Sequence, residues 1–525
     1  MFRPLSGEVF IINRKQARLL LTSSLFLLAT VVIANGKKDA RGTSQGGDVY
    51  AVSGTLSGLA SGKHLVLQNN NADDLTLSAD GSFTFATKLA DGAAYSVTVK
   101  TQPQGQTCTV SHGSGAISGA DVSNVEVSCA DSGSLDTDFA TNGVATFSEE
   151  GDQAGLAIVT DTTGKIIVAG YDRRGSLRHM KLWRYDARGV PDEQFGTSGS
   201  TAYDEGSDSM GKAIALDTNG AIFVAGSIKN SADWDMSLWR YKPNGELDTS
   251  FGRNGIATCD GKQGNDAGFA IALDPSGKIL VAGSIHSGSK YNLALWRYSA
   301  NGVLDDTFGS SGVTVFDGGQ NDFASAVIID SNGKILVTGY SFNGSSNDMI
   351  LLRYNKDGTP DGKFNSTGFV TYNGGAEDRG LALAVTAAGK ILVAGFSTRG
   401  SGAQMAIWRY DGSGVLDASF GVEGLARYDS SRISGGEAFL IDSMGRIAAT
   451  GSIYNNAKEE MALWRFNGDG ALDTNFGLHG VVTYDGGYGD DEGRAIALAP
   501  SGKIIVVGFG DNGSDNDLKI WRFIP

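Results

Sequence analysis

The residue types that could do chemistry in this chain are carboxylates, aromatics and arginines that return at a fixed interval, not the histidines and nucleophiles of a compact catalytic centre. Only five histidines occur, and His179, His286 and His479 fall at unrelated points of the repeating pattern, which argues against a histidine metal centre or a Ser-His-Asp arrangement. No G-x-S-x-G, H-E-x-x-H or phosphate-cradling loop stands in a strand-to-helix context. Six acids, Asp152, Asp208, Asp266, Asp322, Asp378 and Asp491, precede a recurring apolar strand, with Ser434 breaking the series. Such a set has two readings. Oxygen ligands around one mouth would suit Ca2+, a hard cation, whereas short acids at the entrance to a strand also satisfy loop amides one by one. The second reading predicts no cofactor, and a sevenfold arrangement would spread the ring too widely for one ion.

A second acidic series, Asp136, Asp192, Asp248, Asp305, Asp361, Asp417 and Asp473, matches an arginine series at 184, 240, 297, 353, 409, 465 and 522. A ring of binding charges is one reading, but one charge of each sign per repeat is what a scaffold contact requires, so each Arg is expected to pair with an Asp or to cap a turn inside or between blades. Among the aromatics, Trp234 is the one Trp outside a repeated slot. With Tyr291 and Tyr454 it forms a candidate platform for stacking on a sugar or peptide, beside the plain alternative of scattered surface aromatics.

These residues are carried by a repeat of about 56 residues. A segment of the form G-K-I-L-V-A-G begins at Gly164, Gly220, Gly277, Gly333, Gly389, Gly445 and Gly502; L-W-R-Y follows each time, and L-D-x-x-F-G places Phe at 139, 195, 251, 308, 364, 420 and 476. Within one copy the turn signals divide four short strands. In the third copy these are 270–273, 278–282, 293–298 and 312–316, mostly continuous apolar runs suited to a sheet covered on both faces. The first marker, 135–147, supplies the last strand of a unit, and 495–523 supplies the first three. The reading is therefore all-β: a seven-bladed β-propeller of four-stranded blades over 133–525, closed by its termini. The variable connections between second and third strands, from Tyr171–Met180 to Phe509–Asp517, are expected to form a loop-bearing face.

L-D-T-S-F-G, A-I-A-L-D-x-x-G-K-I-L-V-A-G and L-W-R-Y together resemble the delta-60 repeat family of bacterial exported proteins. The resemblance spans about three quarters of the chain and implies a propeller-like fold with no agreed activity.

Ahead of the repeats, 48–131 reads as a small β-sandwich, with strands at 52–56, 64–68, 81–86, 95–101 and 125–129. It resembles the immunoglobulin-like or carboxypeptidase-regulatory-like modules of bacterial extracellular proteins. Cys108 and Cys129 are expected to form a disulfide there, and Cys259 to sit as a lone apolar thiol. Residues 1–36 read as a signal peptide: Arg14, Lys15 and Arg18 precede an apolar run, with cleavage expected after Ala34 and a flexible linker over 37–47. The expectation is a secreted, periplasmic or cell-surface protein without a membrane span after cleavage. A net charge of −15 speaks against nucleic acid. The functional expectation is a non-catalytic binding or scaffold protein engaging a protein or polysaccharide through one face. The alternative is a glycan lyase or hydrolase using carboxylates of that face. Oligomeric state is not legible in these residues.

Overall fold

The computed structural model describes residues 48–525 other than 262, 263, 401 and 431. The expected signal peptide (1–36), its cleavage site and the linker (37–47) lie outside the described residues. Regular structure among the described residues is strand throughout, without helix.

Each repeat folds into one four-stranded antiparallel sheet whose strands lie in chain order. In the third sheet the strands are Ala267–Leu273, Ile279–His286, Tyr291–Tyr298 and Val313–Phe316. The second strand, Ile279–Val281–Ala282, is buried on both faces, which is why its sequence shows no alternation. Asp274 Oδ1 accepts the amides of Ser276 and Lys278 at 2.8 and 2.9 Å, closing the turn into that strand. Gly277 takes a φ of 81° there, which a side chain would resist.

The second and third strands run further than expected. In the second sheet they are Ile222–Lys229 and Trp234–Tyr241, with Lys229 paired to Trp234, so most of the variable segment is ladder and only a short tip is loop. The first strands of the sheets are Gln153–Thr160, Ser209–Leu216, Ala267–Leu273, Asp322–Ile329, Asp378–Val385, Ser434–Ile441 and Asp491–Leu498. Each packs beside the next, and Gln153–Thr160 packs beside Asp491–Leu498. Among the described residues the repeats give seven such sheets. The one containing Asp491–Leu498 takes its fourth strand from the start of the array: Val144–Phe147 pairs with Asn516–Phe523, Val144 opposite Trp521 and Phe147 opposite Leu518.

Neighbouring sheets are held by one recurrent charge cluster. The Nε–H of each repeated Arg donates to the repeated Asp, at 2.5–3.0 Å, in the pairs 184/192, 240/248, 297/305, 353/361, 409/417, 465/473 and 522/136. The same guanidinium lies 4.4–4.9 Å over the Phe of L-D-x-x-F-G. Its Nη1 then donates to a backbone carbonyl of the following sheet's turn: Pro243, Ala300, Lys356, Gly412, Gly468 and Ala187 for Arg184, Arg240, Arg297, Arg353, Arg409 and Arg522. The Lys of G-K-I adds a second donor to the Asp, as Lys503 does to Asp136 at 2.8 Å. Burial opposes ionisation of Asp136, but Lys503 and Arg522 outweigh it and hold the carboxyl below its usual range.

Residues 49–131 form two four-stranded sheets around one apolar core that includes Val52, Leu65, Leu67, Phe85 and Val125. Three of their strands, Asp73–Leu77, Gln106–Ser111 and Ser114–Ala116, were not expected: their polar and Gly-flanked sequences carry no strand signal strong enough to separate them from turns. Cys108 and Cys129 form the disulfide, between directly opposed residues of one sheet. Against the repeats, Gln104 Nε2 donates to Asn475 Oδ1 at 2.8 Å and Ser132 Oγ to the Pro525 carbonyl at 2.9 Å.

Asp136→Ala removes the acceptor shared by Arg522 and Lys503 and strands a guanidinium that is 9% exposed. The expected loss is about 3–5 kcal/mol, read as a shift of the urea midpoint. Asp306→Ala, at an exposed position, should stay within about 0.5 kcal/mol. Equal midpoints for the two variants would contradict the stapling role.

Candidate functional site

The six strand-entry acids occupy two different slots. Asp152 and Asp208 lie one residue ahead of the slot that Asp266, Asp322, Asp378 and Asp491 fill, whose counterparts in the first two sheets are Gln153 and Ser209. In the earlier slot the side chain caps the hairpin of the preceding sheet. Asp208 Oδ1 accepts the Arg178 amide, Asn265 Oδ1 that of Trp234, Asn321 Oδ1 that of Tyr291 and Asp490 Oδ1 that of Glu459, at 2.8–3.0 Å. Asp152 Oδ1 accepts the Asn516 amide at 3.3 Å.

In the later slot the acid is buried and pins its own entry loop. Asp266, Asp322, Asp378 and Asp491 each accept a glycine amide at 2.6 Å, from Gly261, Gly318, Gly374 and Gly486. Burial raises their carboxyls, that of Asp491 to about 6. Among the described residues the structure does not bring the six together: the single group of three acids with ligand atoms within 4.8 Å contains only Asp266 of the set, with Asp235 and Asp260. Each of the six accepts at least one backbone amide.

The three singled-out aromatics divide as well. Trp234 and Tyr291 line one cavity of about 300 Å³, together with Arg178, Lys212, Phe269 and Phe323. Tyr454 stands elsewhere, 38% exposed and paired with Glu459 in the sixth sheet. Trp234 and Tyr291 each open a third strand, and their amides are held by Asn265 and Asn321, so both rings leave rigid ladder instead of loop. Phe269 and Phe323 come from the first strands of the third and fourth sheets. Lys212 Nζ lies 4.1 Å over the Phe269 ring and the Arg178 guanidinium 5.8 Å over the Trp234 ring. Tyr291 packs 5.3 Å from Phe323, which stacks 5.1 Å from Tyr340. Burial, with Arg178 beside it, pushes the Lys212 ammonium down to about 8. A flat apolar face bordered by cations suits a sugar ring bearing a negative group.

A second constellation escaped the sequence reading. Glu437 and Glu492, on the first strands of the sixth and seventh sheets, both pair with Arg494, Glu437 at 3.5 Å. Glu459 lies beside Glu492 and accepts Ser452 Oγ–H at 2.8 Å. Burial raises the Glu437 carboxyl, and burial with the neighbouring Glu459 raises Glu492 to about 7. One signal was present: Glu437 and Arg494 stand in the slot that Leu156, Lys212, Phe269, Ser325 and Leu381 fill in the other copies. Such a pair can hold and release a proton near neutral pH. Cys259, read as a buried apolar thiol, is only half-buried, and burial raises its thiol.

Six segments, 162–195, 218–251, 275–308, 331–364, 389–420 and 445–476, match the family model described as "Domain of unknown function (DUF5122) beta-propeller". The chain thus carries β-propeller repeats. No curated protein matches it. Similar solved structures include a protein of unknown function from Dyadobacter fermentans, at 14% identity over 73% of this chain and 99% of that one, with a TM-score of 0.35. The polysaccharide lyase Uly1 is 12% identical over 73% of this chain and 92% of its own, TM-score 0.42. Drosophila Semaphorin 2a is 7% identical over 74% and 76%, TM-score 0.44.

A carboxyl raised on folding keeps a proton that the unfolded chain gives up, so its contribution to stability falls as pH rises from the unfolded value to the folded one. For Glu492 that window runs from about 4.5 to about 7. The urea midpoint is expected to be lower at pH 8 than at pH 5, and Glu492→Gln, neutral throughout, to reduce the difference. An unchanged pH dependence in that variant would remove Glu492 from this account.

Proposed function

We propose that this is a binding protein of the cell exterior, a seven-bladed β-propeller over 133–525 preceded by a β-sandwich module over 48–131, which engages an acidic polysaccharide at the pocket of Trp234 and Tyr291. The succession of four-stranded sheets and the pairing of 144–147 with 518–521 support a ring closed within one shared blade. The motifs behind the delta-60 resemblance and the signal-like segment support export from a bacterial cell. No helix among the described residues is long and apolar enough to cross a membrane.

The observation that carries the ligand class is the convergence of Trp234, Phe269, Tyr291 and Phe323 with Lys212 and Arg178 at one cavity. Asp266 also lines this cavity and Asp208 lies 3.8 Å from Arg178, so of the two cations it is Lys212, beside the Phe269 ring, that would meet the acidic group of a stacked sugar. A protein ligand would use the same stacking surface, but the cavity, about 300 Å³, suits one or two sugar units better than an extended interface.

One observation favours the enzyme alternative, the Glu437, Glu459 and Glu492 group, where the Glu492 carboxyl, raised by burial, stands beside a second carboxyl. Cleavage would then show as new chain ends released from polysaccharide, lost in Glu492→Gln.

Acidic and neutral polysaccharides immobilised side by side test the binding reading. Saturable retention of acidic chains without product is expected, falling at least about tenfold in Trp234→Ala and weakening with salt, while Tyr454→Ala binds as the parent does. Equal loss in both variants, or no retention of any acidic chain, would dismiss the pocket.

A further inference from the structure

The second sheet carries an acid at a hairpin position where the third and sixth carry a lysine. In the third and sixth sheets the acid that follows the fourth strand is met by a lysine at the hairpin: Lys290 with Asp317 at 2.6 Å and Lys458 with Asp485 at 2.5 Å. In the second sheet the corresponding acid is Asp260, and the hairpin position just before Trp234 holds Asp233 instead of a lysine. In the first sheet the buried acid Asp172 is held by Lys181 and Arg174, at 2.9 and 3.0 Å. The buried acid of the second sheet, Asp235, has other carboxylates around it.

Asp235, Asp260 and Asp266 each offer a carboxylate oxygen, and these oxygens all lie within 4.8 Å of one another. Asp235 is 9% exposed. Its Oδ2 accepts Asn230 Nδ2 at 2.9 Å, while its Oδ1 is buried and has no hydrogen-bond partner. A buried carboxylate oxygen without a donor, beside two further carboxylates, is stabilised by a cation standing among them. Asp266 is fixed independently of any ion, because its two oxygens accept the amides of Gly261 and His286 at 2.6 and 2.8 Å. Asp235 is likewise fixed on the ladder opposite Ile228. Two of the three ligands are therefore rigid, and the third, Asp260, is exposed.

We propose that Asp235, Asp260 and Asp266 bind one divalent cation of the calcium class, tying the second sheet to the first strand of the third. All three donors are carboxylate oxygens, which select a hard ion, and a set completed by water suits the irregular coordination of Ca2+ better than the strict octahedron of Mg2+. The site goes beyond the polysaccharide reading and does not depend on it. It adjoins that pocket nonetheless, since Asp266 lines the same cavity as Trp234.

The test uses the full chain stripped with a chelator, titrated with Ca2+ in a calorimeter and with Tb3+ read by luminescence excited through tryptophan, for which Trp234 is next in sequence to Asp235. Saturable one-site binding is expected, with a Kd of about 10⁻⁴–10⁻³ M or tighter, as in extracellular calcium modules. Asp235→Asn and Asp260→Asn should each weaken it at least about tenfold, and Asp322→Asn, in the matching slot of the fourth sheet, should leave it unchanged. Should Asp235→Asn fail to fold, the exposed Asp260→Asn carries the test alone. Absence of saturable binding up to ~10 mM Ca2+, beyond the weakest such modules, or full binding in Asp260→Asn, would overturn the proposal.

Discussion

The buried guanidinium of each repeat is the constraint on which the sheets depend. An arginine cannot shed its proton in such a place, so its donors must be met or the site is lost. Its Nε–H is met by the Asp eight residues on, and its plane by a phenylalanine ring. Its Nη1 reaches the turn of the next sheet, as from Arg297 to the Lys356 carbonyl, while Nη2 of Arg297 donates to Thr307 Oγ1. Satisfying one side chain therefore fixes the distance and orientation between two sheets, and repetition passes that geometry along the array. Apolar layers fill the space so defined: Phe139, Trp183, Ile505 and Leu518, from both ends of the repeat array, share one cluster.

The exception is informative. Arg465 has its Asp473 and its ring from Phe476, but its Nη1 is buried without a partner, and burial with Arg446 nearby lowers the guanidinium to about 10. At this junction the next turn is not a repeat turn but the strand leaving the small domain. Ser132 takes over the backbone contact there, accepting the Gly477 amide at 2.9 Å, while Ser132 Oγ and Thr107 Oγ1 both donate to the Pro525 carbonyl. The sandwich is thus built into the one seam where the periodic contact is unmet.

Much of this was legible because periodic contacts leave periodic residues. One Arg and one Asp in every copy pointed to a scaffold contact, and a last strand without its first three pointed to the sheet shared by the ends. What was not legible depended on register or on distance between copies. Asp152 and Asp208 look equivalent to Asp266, yet they stand one residue ahead of its slot, so the same residue type caps a neighbour's hairpin in one slot and its own loop in the other. Trp234 and Tyr291 could be singled out as aromatics, but their partners Phe269 and Phe323 come from first strands whose inward side no local pattern announces. The Glu437, Glu459 and Glu492 group needs three strands of two sheets to exist at all.

Two kinds of position can therefore be told apart by what sits beside them. One residue before the variable slot of the first strand stands Gly211, Gly268, Gly380, Gly436 or Gly493, where an added Cβ would come within 3.0 Å of a neighbouring side chain or backbone atom. Packing keeps this position small, with Ala324 as the largest member of the series. The next residue is half-buried, and the same series reads Leu156, Lys212, Phe269, Ser325, Leu381, Glu437 and Arg494. Nothing in the sheet-to-sheet contact selects among a lysine, a phenylalanine and a glutamate. A slot free of the scaffold's demands that nevertheless supplies the cation and ring of one site and the carboxylate and arginine of another is where selection for a ligand can act without cost to the fold.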